Sequence, residues 1–73
     1  MRYQIRFDDY AQARRYLLLS GMRRMPTAGI ETWVGIAPGD RGERYKVFAK
    51  GSRLSAPTTW SFSAAPFGGR THV

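Results

Sequence analysis

Residues 43–50 read ERYKVFAK. Side chains alternate along a strand, so Arg44, Lys46, Phe48 and Lys50 fall on one face while Tyr45, Val47 and Ala49 fall on the other. A ring among cations can hold a polyanion: guanidinium and ammonium groups pair with phosphate or carboxylate, and the ring stacks on a base or fills an apolar pocket. Trp33, in GIETWVGI, alternates with Glu31 and Gly35 and is expected to join Phe48 on the same surface. The plainer reading has the two rings packed against each other across a hairpin, or covered by residues 66–73 or by a second copy of the chain.

Other cations extend this chemistry. MRYQIRF places Arg2 and Arg6 opposite Tyr3, Ile5 and Phe7. The doublets Arg14-Arg15 and Arg23-Arg24 flank a short helical stretch, where they could line up along phosphates or carboxylates or simply be solvated. Adjacent helical residues point about 100° apart, so a doublet is not automatically one patch. APGDRGER carries Arg41 at a glycine-rich turn, but it lacks the lysine, the Ser or Thr and the following helix of a phosphate-binding P-loop. It reads instead as an exposed hairpin tip.

Catalytic sets are scarce. With no cysteine there is no thiolate nucleophile, disulfide or zinc-cysteine site, and the single His72 is the next-to-last residue. Of the five acids only Asp8 and Asp9 are adjacent, and helix capping accounts for them. Arg44, Tyr45 and Lys46 are residue types used by small RNA-cleaving toxins, yet neighbours on a strand point to opposite faces and cannot form one site. The expectation is a non-catalytic protein with no cofactor and no metal.

Composition sets the frame for these side chains. A chain of 73 residues with 42% hydrophobic and 14% aromatic residues can build one small core, in which large rings supply much of the buried area. Ten Arg and two Lys against five acids give a net charge of +7, which calls for a negatively charged partner. No stretch approaches the roughly 20 apolar residues of a membrane span, and the basic start leads into DDY rather than an apolar signal core. A cytoplasmic protein with no membrane partner is expected.

The elements follow from periodicity and punctuation. MRYQIRF is a half-buried strand. DDYAQARRYLLLSG opens with a capping-box variant, Asp9 with Gln12, and closes on Gly21, predicting a helix from about Tyr10 to Ser20 packed through Tyr10, Ala13, Leu17 and Met22. MRRMPTAG reads as a loop. GIETWVGI and ERYKVFAK form a hairpin with a loop longer than two residues, and TTWSFSA is the last strand. The sum is a small single-domain α+β fold in the order β-α-β-β-β, with one helix on a mostly antiparallel sheet. The domain spans residues 1–65, and 66–73 form a flexible tail, from which Phe67 could dock back onto the domain. The expected core is Tyr3, Ile5, Phe7, Leu17, Val34, Ile36, Tyr45, Val47, Trp60 and Phe62; the other sheet face carries Arg2, Arg6, Trp33, Arg44, Lys46, Phe48 and Lys50.

Two functions fit such a face. In the first, the chain docks on the acidic protein surface of a nucleoprotein complex, with Arg paired to carboxylates and Trp33 and Phe48 in apolar pockets, and excludes the partner's own ligand. Arg, Trp and Tyr are enriched at protein interface hot spots, which favours this reading. In the second, the face binds single-stranded nucleic acid or RNA directly. A short cysteine-free chain without a catalytic set has the general character of accessory proteins of phages and mobile elements, among them inhibitors of CRISPR effector complexes. Many of those are acidic DNA mimics, which a chain at +7 is not.

Overall fold

The computed structural model describes residues 1–67. Strand β1 (Arg2–Phe7) leads into helix α1 (Tyr10–Leu19), followed by β2 (Arg23–Arg24), β3 (Glu31–Pro38), β4 (Arg44–Gly51) and β5 (Thr58–Pro66). All pairings are antiparallel, and the five strands lie in the order β1-β5-β4-β3-β2. This is the expected α+β domain with one addition. The doublet Arg23-Arg24, read as loop, forms a short edge strand opposite Val34 and Trp33.

Helix α1 begins and ends where its punctuation dictates. Asp9 adopts extended backbone and its carboxylate accepts the Gln12 N–H at 2.9 Å, while Gln12 Oε1 accepts the Asp8 N–H at 2.8 Å. At the other end Gly21 takes φ 79°, Met22 N–H donates to Leu17 O and Gly21 N–H to Leu18 O. That pair of bonds is a Schellman stop, and it drops Met22 into the core beside Leu17. Ala13 and Leu17 are the helix's buried residues, and its contacts run mainly to β1 and β5.

The core comprises Phe7, Ala13, Leu17, Met22, Trp33, Ala49, Trp60 and Phe62. Three of these positions, Trp33, Ala49 and Trp60, explain one another. The inner face of β4 ends in Ala49 and Gly51, which leaves space beside a flat ribbon of backbone. Trp33, opposite Ala49 on β3, and Trp60, on β5, fill it. A Cβ on Gly51 would lie 2.2 Å from Trp60 Cδ2, so only glycine admits the indole there.

That packing overturns the expected facing of β3. Trp33 is 2% exposed and lies in the core, not on the outer face, and Ile36, assigned to the core, is 51% exposed. Val34 is half-buried on the outer side, paired with Phe48. Alternation offered two frames, Thr32-Val34-Ile36 or Glu31-Trp33-Gly35, and a shift of one residue exchanges them. Counting aliphatic residues favours the first. The space above Ala49 and Gly51 selects the second, because only a large ring fills it.

Candidate nucleic-acid interface

With the register fixed, each outward side chain can be placed. The row Arg2, Ser63, Phe48, Val34, Arg23 crosses all five strands, with Phe48 at its centre. Beside it run Gln4, Ser61, Lys50 and Thr32, then Arg6 and Thr59 at one end. On the other side lie Ala65, Lys46 and Ile36, and beyond them Arg44 opposite Pro38. Helix α1 packs on the opposite face, so the helix leaves these residues uncovered.

The charge on this face has one sign. Arg2, Arg6, Arg23, Arg44, Lys46 and Lys50 all stand on it, and none of the chain's five acids does. Asp8 and Asp9 cap the helix, Glu31 and Glu43 alternate onto the helix side, and Asp40 sits in the 39–43 turn. Arg24 and Arg53, which lie off this face, pair with Glu31. Cations that share a face with no acidic residue add their fields toward an external anion.

Two rings are interleaved with these cations. Lys46 Nζ lies 5.7 Å from the centroid of Phe48 and 5.6 Å from that of Phe67, and Arg44 Cζ is 5.6 Å from the Phe67 centroid. Phe67 reaches this position because β5 continues through Pro66 and the Phe67 N–H donates to Arg44 O at 2.9 Å. The rest of the segment expected as a tail, 68–73, lies outside the described residues. A depression of about 450 Å³ opens between β1, β5 and β4, lined by Arg2, Gln4, Phe48, Lys50, Ser61 and Ser63 of this face together with Tyr3 and Phe62.

The other sequence-selected cations are not gathered here. Arg14 and Arg15 are exposed on α1 beside Leu18 and Leu19, and Leu19 is 82% exposed. With Tyr10 and Ala11 they line a second shallow depression on the helix side. Arg41 occupies the exposed β3–β4 turn, where its N–H donates to Glu43 Oε1 at 2.8 Å. Arg24 points to the helix side, toward Glu31. Trp33 is withdrawn into the core, for the packing reason given above.

Sequence reasoning missed the group around Glu31. Glu31 is only 8% exposed, yet its Oε2 accepts from Tyr10 Oη–H at 2.7 Å and from Trp33 Nε1–H at 2.8 Å. Arg24 Nε lies 3.8 Å from Oε2 and Arg53 Nε 4.0 Å from Oε1, while Arg53 also stacks 5.1 Å above the Tyr10 ring. Burial by itself would raise the Glu31 carboxyl, but the hydrogen bonds from Trp33 and Tyr10, with Arg24 and Arg53, outweigh it and hold it below the usual carboxylate range. Burial, followed by the bond to Glu31, pushes the Tyr10 phenol up. The carboxylate joins α1, β2, β3 and the β4–β5 loop. It is a fastening for the sheet edge, and the contacts that make it come from chain segments too distant for spacing to reveal.

Also missed were Gln4, Ser61 and Ser63, whose polar side chains gain meaning only once β1 and β4 are known to flank β5. Among the described residues no three His, Cys, Asp or Glu gather as a metal site, and no helix is long and apolar enough to cross a membrane. Comparison with protein-family models, curated proteins and solved structures finds no match for this chain.

Proposed function

We propose that this chain is a small, non-catalytic nucleic-acid-binding protein that works through the outer face of its sheet. The observation that carries the reading is the segregation of charge: six cations and no carboxylate share one face of the sheet. Phosphates meet such a face by releasing their counterions, so affinity should fall steeply with salt. The burial of Trp33 weighs against protein docking through the same face, since it removes the large apolar anchor that a protein hot spot needs. What remains outward is mainly charged and hydroxylated and only sparsely aromatic, with Val34, Ile36 and Ala65 as its aliphatic members.

A second reading has its own observation. Exposed Leu18 and Leu19 beside Arg14 and Arg15 suit docking on an acidic protein surface, which would cover a larger nucleic-acid-handling complex and exclude its ligand. The two readings use opposite sides of the molecule and separate cleanly.

The test is fluorescence anisotropy with labelled oligonucleotides across a salt series. About four phosphate contacts to a single strand give a log–log slope near −3. Lys46→Glu with Lys50→Glu lowers the net charge from +7 to +3, two units for each substitution, and so does Arg14→Glu with Arg15→Glu. The first pair should weaken binding by about 10-fold or more and the second by less than about 3-fold. Equal losses would mean that net charge alone is responsible, and the assignment to the sheet face would be wrong.

A further inference from the structure

The outer face is not flat. On β5 its side chains are Thr59, Ser61, Ser63 and Ala65, all small. The flanking strands carry long ones: Arg2, Gln4 and Arg6 on β1, and Lys46, Phe48 and Lys50 on β4. A furrow therefore runs along β5, about two strand spacings or roughly 10 Å across, and the depression of about 450 Å³ beside Arg2, Gln4, Phe48, Lys50, Ser61 and Ser63 lies along it.

We propose that this furrow holds one unpaired strand of nucleic acid, with a base stacked on Phe48 and phosphates on the cations of both walls. The proposal rests on the reading that the outer face binds nucleic acid, and it specifies the form taken up. Three features of the furrow select a single strand. Stacking on Phe48 requires a base whose face is free, which a duplex does not offer away from its ends. The cations stand on both sides of a narrow floor, so they can follow one backbone on either wall. The floor supplies hydroxyls that both donate and accept, as does the Gln4 amide, and these groups are barely engaged with each other: Gln4 Nε2 donates to Ser61 Oγ at 3.4 Å, near the limit of a hydrogen bond. Base edges can take them over at little cost. RNA and DNA share the chemistry required, a phosphodiester chain with unstacked bases.

The experiment compares dodecamers of deoxythymidine and of uridine, a duplex of equal length, and heparin as a polyanion without bases, all by anisotropy or anisotropy competition at physiological salt. Phe48→Leu keeps an apolar side chain at this half-buried position and removes the ring, and circular dichroism verifies the fold. Single strands should bind about 10-fold or more tightly than the duplex or heparin, and Phe48→Leu should cost single strands about 5-fold or more while leaving the other two nearly unchanged. A preference between uridine and deoxythymidine then identifies which nucleic acid fits. Equal, salt-sensitive binding of single strand, duplex and heparin, or an unchanged Phe48→Leu variant, would overturn the furrow while leaving a basic binding face. Absence of binding to all four probes would overturn both.

Discussion

Removing the Glu31 carboxylate should come close to unfolding the domain. In Glu31→Ala, Trp33 Nε1 and Tyr10 Oη lose an ionised acceptor that they meet at 2.8 and 2.7 Å. A hydrogen bond to a charged group contributes roughly 1.5–3 kcal/mol, and an orphaned buried donor costs about 1–3 kcal/mol. The Arg24 and Arg53 side chains are 54% exposed, so their ion pairs are screened and add no more than about 1 kcal/mol between them. Water entering the vacated space at the sheet edge offsets part of the loss. The balance is about 3 kcal/mol, close to the roughly 3–5 kcal/mol that a core of this size supplies. Glu31→Gln keeps one oxygen for the two donors and should cost about 1 kcal/mol. Urea unfolding followed by tryptophan fluorescence measures both. The pH dependence supplies an internal check. Because the folded-state pKa of Glu31 is depressed, its contribution is fully present above the unfolded value and is lost as pH falls through the folded one. The gap between wild type and Glu31→Gln should therefore narrow in acid below the ordinary glutamate range. A Glu31→Ala midpoint within about 0.5 kcal/mol of wild type would refute the reasoning, because it would mean that the buried carboxylate fastens nothing.

Three further substitutions test the packing that places the outer face. Trp33→Ala should destabilise by about 3–5 kcal/mol by thermal or urea melting, as a core ring does, whereas a surface ring would cost under about 0.5 kcal/mol. Gly51→Ala should cost about 1–3 kcal/mol in the same assay, since its Cβ meets the Trp60 ring at 2.2 Å and one of the two must move. Asp9→Ala should lose about 1 kcal/mol and a share of the helical circular dichroism, through loss of the cap on Gln12 N–H.

Much of the fold was legible because its signals are local. Asp9 with Gln12 and Gly21 bracket α1, TTWSFSA declares its buried and exposed faces by strict alternation, and the 39–43 turn separates β3 from β4. The direction in which β3 faces was not legible. Its two frames compete, and the deciding fact is the room left by the small residues Ala49 and Gly51 on another strand. The same non-locality hid the Glu31 fastening, which draws Tyr10, Arg24 and Arg53 from three separate segments. The β5 furrow was hidden too, because it exists only where the first strand and the last lie side by side. The cations and ring of ERYKVFAK were readable as one face because they sit on a single strand. Trp33 was misplaced because its assignment depended on a neighbour.

The most direct measurement is a titration of the isotope-labelled protein with a single-stranded dodecamer, followed by amide chemical shifts. If the outer sheet face is the binding surface, the perturbed residues will cluster on β1, β5 and β4 around Arg2, Ser61, Ser63, Phe48 and Lys50, while Arg14 to Leu19 of α1 stay in place. Shifts concentrated on α1, or none at saturating oligonucleotide, would contradict the account.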